Sequence, residues 1–455
     1  MSDRLRVIAL ARAFAAGEQS LTALVTRGAA TIHRPRHMFV PLATRYLAAF
    51  DGRTRPRLRD IVQFLLHDRS WTDRRRTSAP SSALRRDTTW LVEPSRMQPV
   101  AAASDWNMPR IESAATLAEW LGVPLAELEW ISDIKRRRQS VPSSPLHHYH
   151  YRLFAKRAGR GGVRVIEAPQ ARLKAIQRQI LHDILEAVPH CYSAAHGFVK
   201  GRSIRSFAQP HVGQHIVLRM DLQDFFPRVG GARIQALFRT VGYPEIVADL
   251  LGGLCTNAVP RRVFAGSPPM GVSAHSLADA QRLYVQPHLP QGAPTSPALA
   301  NMCAYRLDSR LTGLADWAGA VYTRYADDLA FSGGAEFARR VQRYATQIAV
   351  IVHEEGWNVQ HRKTRIMRQG VRQQLAGLVV NTRANVPRSE FDALKATLSN
   401  CVRQGPHRQN RDGHPDFRAH LAGKVAWVCS VNPTKGAKLQ SLFERIAWSN
   451  HADGA

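Results

Sequence analysis

Two short segments hold acidic residues in an arrangement that can do chemistry. In Ile216-Val217-Leu218-Arg219-Met220-Asp221-Leu222-Gln223-Asp224-Phe225-Phe226, an apolar strand runs into a carboxylate at its end. In Val321-Tyr322-Thr323-Arg324-Tyr325-Ala326-Asp327-Asp328-Leu329-Ala330-Phe331, two adjacent aspartates sit between β-branched and aromatic residues, as in a hairpin turn. An isolated Asp-Asp pair is an ordinary turn signal. Apolar strand on both flanks changes the weighing, because like charges crowded at a sheet edge are costly unless a cation neutralises them. Strands placed side by side bring Asp221 together with Asp327 and Asp328. Three carboxylates with oxygen-only ligation suit Mg²⁺, which keeps water and binds substrate phosphates. Two such ions roughly 3.5–4 Å apart clamp the attacking and leaving oxygens of an in-line phosphoryl transfer.

Between these segments lies Leu289-Pro290-Gln291-Gly292-Ala293-Pro294-Thr295-Ser296-Pro297-Ala298-Leu299-Ala300-Asn301, a Gly/Pro-rich turn that opens a helix of small residues. Glycine permits close backbone approach, and a helix N-terminus favours anions. Such turns are common, so this one gains meaning only beside the carboxylates.

The elements that must position these groups belong to a chain of 455 residues, long enough for two or three domains. Its 44% hydrophobic content allows a packed core. The formal net charge is +28, and only nine of the 63 basic residues are lysine. A surplus that large implies a polyanionic partner, nucleic acid or an anionic membrane surface. No uninterrupted apolar run approaches the ~20 residues of a spanning helix, and no secretory signal is expected. Cys191, Cys255, Cys303, Cys401 and Cys429 are scattered without a Cys-x-x-Cys pair, so no disulfide framework or structural zinc is expected, and the cytoplasm fits best.

Residues 1–50 read as one or two helices, and Ile61–Leu66 as another. The segment near 72–87 is rich in Arg, Ser and Thr and reads as a linker or an RNA-facing loop. Leu117, Trp120, Leu121, Leu125 and Leu128 could share one buried helical stripe. The run Lys135-Arg136-Arg137-Arg138 and the Ser/Pro stretch at 140–145 mark a boundary. His147, His148 and His150 read as part of a basic RNA-facing loop rather than a metal site. Beyond the boundary, Tyr149, Tyr151 and Phe154 alternate as in a strand, and Gly159, Gly161 and Gly162 suggest a hairpin. Helices and strands alternate to about residue 382. Phe391, Leu394, Leu398 and Val402 then form one amphipathic stripe.

Taken together, the strand ending in Asp221, the block Gln291-Gly292-x-x-x-Ser296-Pro297 and Tyr325-Ala326-Asp327-Asp328 resemble the reverse transcriptase family in order and spacing. The resemblance covers roughly residues 150–385. It implies an α+β right-hand fold of fingers, palm and thumb with an antiparallel palm sheet. The expected division is a helical, Arg-rich extension over 1–140, fingers and palm over 141–385, and a helical thumb over 386–455. The resemblance places two Mg²⁺ on Asp221, Asp327 and Asp328, with Leu222 in the same metal site. Phe226, five positions after Asp221, would exclude the ribose 2′-OH, and Gln291 would touch the incoming nucleotide and template. In the block Gly356–Thr364, Lys363 would approach the triphosphate.

Upstream, Arg164–Pro169 with Leu173–Leu181 and Ala195-His196-Gly197-Phe198-Val199-Lys200-Gly201-Arg202-Ser203-Ile204 resemble the finger motifs of retron reverse transcriptases. Lys200 and Arg202 would contact triphosphate or template phosphates. The run Phe207-Ala208-Gln209-Pro210-His211 matches a retron element at Ala and His, with Phe207 where Asn is usual. In Leu375-Ala376-Gly377, only Gly377 matches the usual Val-Thr-Gly. His211, Tyr325, Gly377, Arg403, Arg408 and Arg411 are the expected nucleic-acid contacts. The retron resemblance implies a structured noncoding RNA as template and primer, dNTPs as substrates, and a branched RNA/DNA product carrying single-stranded DNA. It also implies anti-phage defence with an effector protein, and no membrane partner. Two alternatives remain: a group II intron-like enzyme of a mobile element, which normally continues into a maturase region, and an RNA-binding defence scaffold with little catalysis.

Overall fold

The computed structural model describes residues 2–50, 56–68, 96–134, 148–156, 162–189, 192–266 and 268–448. The linker reading near 72–87, the boundary at 140/141, His147 and Cys191 lie outside the described residues. The chain folds as two compact units, Met1–His190 with Phe226–Cys303, and Cys191–Phe225 with Ala304–Ala455.

The first unit begins with helices Ser2–Ala15, Leu21–Ile32, Val40–Phe50 and Leu58–His67. Residues 1–50 thus hold three helices rather than one or two. Gly17 takes a left-handed φ of 72°, and the Ser20 side chain accepts the Ala23 N–H, so the chain stops and restarts there. Leu10, Phe14, Leu24, Tyr46, Ile61 and Leu65 close a core of their own. The expected stripe over 117–128 is split into helices Ala114–Trp120 and Leu125–Ser132. Gly122 at φ 62° and Pro124 break it, leaving Leu117, Leu121 and Leu128 buried and Leu125 exposed. Strand β1 (Tyr149–Ala155) pairs antiparallel with β2 (Val163–Pro169), as expected; residues 157–161 between them lie outside the described residues. His148 is buried against the Trp130 ring at the start of this hairpin, not on a solvated basic loop.

The second unit is built on an antiparallel sheet. Strands β3 (Ile216–Gln223), β4 (Ala320–Tyr325), β5 (Asp328–Gly333) and β6 (Asn358–Val359) run in the order β4-β5-β3-β6, and β7 (Arg365–Arg368) also pairs with β3. β3 is central and buried on both faces at Ile216, Val217, Leu218, Met220 and Leu222. That explains its continuous apolar run, where a half-exposed strand would alternate. A short hairpin of β8 (Gln374–Leu375) and β9 (Leu378–Val379) follows. The last helices are Arg388–Gln404, Phe417–Val431 and Pro433–Glu444. Their apolar faces, with Leu394, Leu398, Leu421, Val425 and Leu439, share one core with Val217 of β3 and Ala330 of β5. Residues on both sides of 385/386 therefore bury one another.

One ion pair lies wholly inside this unit. Asp308 sits on helix Tyr305–Trp317, and Arg324 sits on β4; both side chains are fully buried. Arg324 donates from Nε to Asp308 Oδ1 at 2.7 Å and from Nη2 to Oδ2 at 2.6 Å. The Tyr322 hydroxyl donates to Oδ1 at 2.9 Å. Arg324 Nη1 donates to the Ala326 carbonyl at 3.1 Å. Removing one member leaves a charge buried without its partner. Asp308→Ala is expected to cost about 3–5 kcal/mol, read by urea unfolding. The double variant Arg324→Met/Asp308→Leu is expected to lose less than Asp308→Ala alone, and a larger loss would contradict this account.

Candidate active site

The carboxylates are gathered within the second unit by sheet register. Asp221, near the end of β3, lies directly opposite Asp328, the first residue of β5. The Leu222 N–H donates to the Asp327 carbonyl at 2.8 Å, so the third carboxylate belongs to the same crossing. Between Tyr325 and Asp328 the chain must reverse in two residues, and Ala326 does so at a positive φ of 55°. That conformation is uncommon for a residue with a side chain and needs support from its surroundings. Support comes from residues 194–197, which run along β4. The His196 N–H donates to the Arg324 carbonyl, and the Arg324 N–H to the Ala194 carbonyl, both at 2.7 Å. Gly197 lies so near that a Cβ there would stand 2.4 Å from the Ala326 nitrogen, so only glycine fits.

Two cations of the chain reach the carboxylates. Lys363 follows β6, which pairs with β3 at Leu222 and Gln223, and its Nζ donates to Asp221 Oδ2. Arg219 lies two residues before Asp221 on the same strand face. Its Nε and Nη2 donate to Asp328 Oδ1 at 2.9 and 2.7 Å. Among the described residues, Asp327 forms no ion pair. Burial, then the neighbouring Asp221 and Asp328, push its pKa up to about 6. Burial also raises Asp221, against the opposing hydrogen bond and charge of Lys363.

Among the described residues no three His, Cys, Asp or Glu side chains already stand in an arrangement that could hold a metal ion. The three carboxylates nonetheless fit a divalent cation. Their donors are all hard oxygens, and burial, then the neighbouring Asp221 and Asp328, makes the Asp327 charge costly, a cost that a hard cation relieves. Asp221, Asp327 and Asp328 would hold it.

The other expected contacts fall in different places. Phe225 is buried, stacked on Trp357 with ring centroids 5.9 Å apart, whereas Phe226 is half-buried. Phe226 and Gln291 belong to the first unit. Gln291 Oε1 is buried without a hydrogen-bond partner. Lys200 is exposed, and Arg202 is half-buried. Its Nη1 donates to the carbonyls of Ser193 and Ala195, so it braces its own loop. His211 is fully buried between Thr323 and Ser332, with ring nitrogens 2.7 and 2.6 Å from their hydroxyls. Burial pushes its pKa down to about 3, so it is a neutral core residue and not a nucleic-acid contact. Lys363 sits on Asp221 rather than standing clear of the carboxylates. Tyr325 is half-buried against Phe207, and Gly377 makes the β8–β9 turn at φ 90°.

Arg403, Arg408 and Arg411 are exposed. Arg411 also lines a cavity of about 510 Å³ with His414, His420, Lys424 and Trp427. The sequence reading missed the roles of Arg219, Arg324 and Asp308. A cation two residues before a carboxylate on one strand was a usable signal for Arg219; nothing local marks Asp308.

The family described as reverse transcriptase (RNA-dependent DNA polymerase) matches residues 155–394. The retron Mx65 reverse transcriptase of Myxococcus xanthus is 39% identical over 339 residues, 74% of this chain and 73% of that protein. The retron Mx162 reverse transcriptase of the same organism is 35% identical, over 74% of this chain and 68% of that protein. The retron Ec86 reverse transcriptase of Escherichia coli is 29% identical, over 66% and 82%.

The raised Asp327 pKa has a stability consequence. The folded chain binds this proton more tightly than the unfolded chain, whose value is near 3.8. The contribution favours folding below that value and is lost as pH rises through about 6. In chelator, Asp327→Asn is therefore expected to melt a few degrees above wild type at pH 8 and level with it at pH 4. Added Mg²⁺ should raise the wild-type melting temperature at pH 8 and close that gap. A gap equal at both pH values would refute the assignment.

Proposed function

This chain belongs to the reverse transcriptase family, in its retron branch, and from that premise we propose how it works and on what. It is an RNA-directed DNA polymerase. Its proposed template and primer are one structured noncoding RNA, copied into the single-stranded DNA of a branched RNA/DNA product. The observation that carries this reading is the register of Asp221 against Asp328, with Asp327 tied to the same crossing.

In the reaction a primer hydroxyl attacks the α-phosphorus of a dNTP. The new O–P bond forms as the bond to the bridging oxygen breaks, pyrophosphate leaves, and the hydroxyl proton passes to solvent. Divalent-metal dependence is general in the family. Two bound Mg²⁺ would supply positive charge at the attacking and leaving oxygens. Asp221 and Asp328 face each other across adjacent strands, and Asp327, in the turn, is tied to Leu222 by a backbone hydrogen bond; these residues would hold the ions. The Arg219 fork occupies Oδ1 of Asp328 and so presents Oδ2. Lys363 lowers the cost of burying the Asp221 charge. Phe226, half-buried where Phe225 is core, is the proposed barrier to a ribose 2′-OH, and Gln291 the contact to nucleotide and template. Lys200, Tyr325, Gly377, Arg403, Arg408 and Arg411 are the proposed contacts to nucleic acid, the arginines holding phosphate without reading sequence.

We extend the proposal to defence against phage with an effector protein, on the retron relationship alone. Among the described residues no helix is long and apolar enough to cross a membrane.

Primer extension tests the metal site. Asp327→Asn or Asp328→Asn should abolish synthesis while RNA binding persists, since dispersed arginines hold the RNA. Activity within about tenfold of wild type in a folded variant would sink the assignment. Phe226→Ala should admit ribonucleotides. An unchanged dNTP/rNTP ratio in an active variant would return Phe226 to core packing.

A further inference from the structure

The first unit contains a second buried ionic group, remote in sequence from the carboxylates. Glu167 lies on β2, with its side chain fully buried. His288 is 1% exposed, and its Nε2 lies 2.9 Å from Glu167 Oε1. Asn257 Nδ2 donates to Glu167 Oε2 at 2.8 Å and to the Tyr151 hydroxyl at 3.1 Å. His288 Nδ1 stands 2.6 Å from the Gln286 carbonyl, an acceptor only, so Nδ1 carries a hydrogen. Nε2 faces a carboxylate, so one further proton is held between His288 and Glu167. A bare carboxylate in this site would be costly, and the two donors together make it tolerable.

This group is not isolated from the proposed chemistry. His288 is three residues before Gln291. The backbone of His288 exchanges both hydrogen bonds with Asn257, at 2.9 and 3.0 Å. Beyond it, the chain comes back to Glu167 a second time. The Glu167 N–H donates to the Gln291 carbonyl at 2.9 Å. At Gly292, which has a φ of 133°, a Cβ would stand 2.8 Å from the Glu167 carbonyl oxygen. Glu167 thus grips the turn at both ends: by its carboxylate through His288, and by its backbone at Gln291 and Gly292. The Gln291 side chain leaves this turn with Oε1 buried and, among the described residues, without a hydrogen-bond partner, poised for a donor from a bound nucleotide or template.

We propose that Glu167, locked by His288 and Asn257, is a positioning residue for DNA synthesis: it sets the place of the Gln291-Gly292 turn, and through Gln291 that of the incoming dNTP. The inference rests on the reading of Gln291 as the nucleotide contact. An apolar pair would fill the same volume without the cost of burying charge. A carboxylate with two defined donors fixes the strand and the turn in one register, which apolar packing does less sharply. Displacement of a substrate-positioning group by about 1 Å is enough to cost on the order of 10² in rate.

The test is single-nucleotide insertion of dTTP by the full chain on a poly(rA) template with an oligo(dT) primer. Glu167→Gln keeps the volume but replaces one acceptor with a donor. It should raise the KM for dTTP about tenfold with kcat within about threefold. Gly292→Ala disturbs the same contact from the exposed side without touching the buried pair, and should do the same. In a Gln291→Ala background neither change should add more than about twofold, because both act through Gln291. A fall in kcat at unchanged KM overturns the proposal, and so does a full additional effect in the Gln291→Ala background, or no effect of Gln291→Ala itself. If Glu167→Gln lacks a cooperative melt, Gly292→Ala decides alone. Wild-type protein that inserts no nucleotide would refute the polymerase reading instead.

Discussion

The hairpin that carries Asp327 and Asp328 depends on the guanidinium of Arg324. A two-residue reversal between β4 and β5 forces Ala326 into a conformation that alanine does not favour. Arg324 answers this from inside the core. One nitrogen reaches the Ala326 carbonyl, while the fork on Asp308 fixes the arginine itself. The backbone of the same residue binds residues 194–196 on both sides. A lysine could not do this: its single ammonium lacks the planar fork that serves a carboxylate and a carbonyl together. Without this brace the two aspartates of the turn would still exist, but their direction would not be set.

The carboxylates show the opposite use of charge. Asp308 is buried and its charge is matched at close range by Arg324 and Tyr322. Asp327 is buried and then crowded by Asp221 and Asp328, and its proton affinity rises for both reasons. Arg219 and Lys363 relieve the neighbours and leave Asp327 as the least compensated of the three. A fold that tolerates one such mismatch needs strong packing around it. The continuous apolar run of β3, buried on both faces, provides that packing.

The sequence was most legible where local pattern and tertiary role coincide. The apolar run into Asp221 and the Asp-Asp turn could be placed before any coordinates, because period and turn chemistry are local. The family was legible in Gln291-Gly292 beside the aspartates, and the retron relationship in Arg164–Pro169, Leu173–Leu181 and the block Ala195–Ile204. What could not be read were partners set by tertiary packing. His211, expected as a nucleic-acid contact from its match to a retron element, is enclosed by Thr323 and Ser332 from two strands. Arg202 looked like a phosphate ligand, yet two carbonyls of its own loop claim it. The stripe over 117–128 satisfied helical periodicity, and Gly122 and Pro124 overrode it.

The core shared by the C-terminal helices and the sheet has an evolutionary consequence. Leu394, Leu398, Leu421 and Val425 pack in one cluster with Val217 and Ala330, which lie on the strands that carry Asp221 and Asp328. These helices are therefore not a cassette that can be exchanged between relatives to change RNA preference. A transplanted set would have to bring side chains that refill the space beneath β3 and β5, at native packing density. Divergence in the C-terminal helices is thus tied to compensating change under the strands that carry Asp221 and Asp328. Chimaeras joined near residue 386 inherit that debt unless the sheet face is exchanged with the helices.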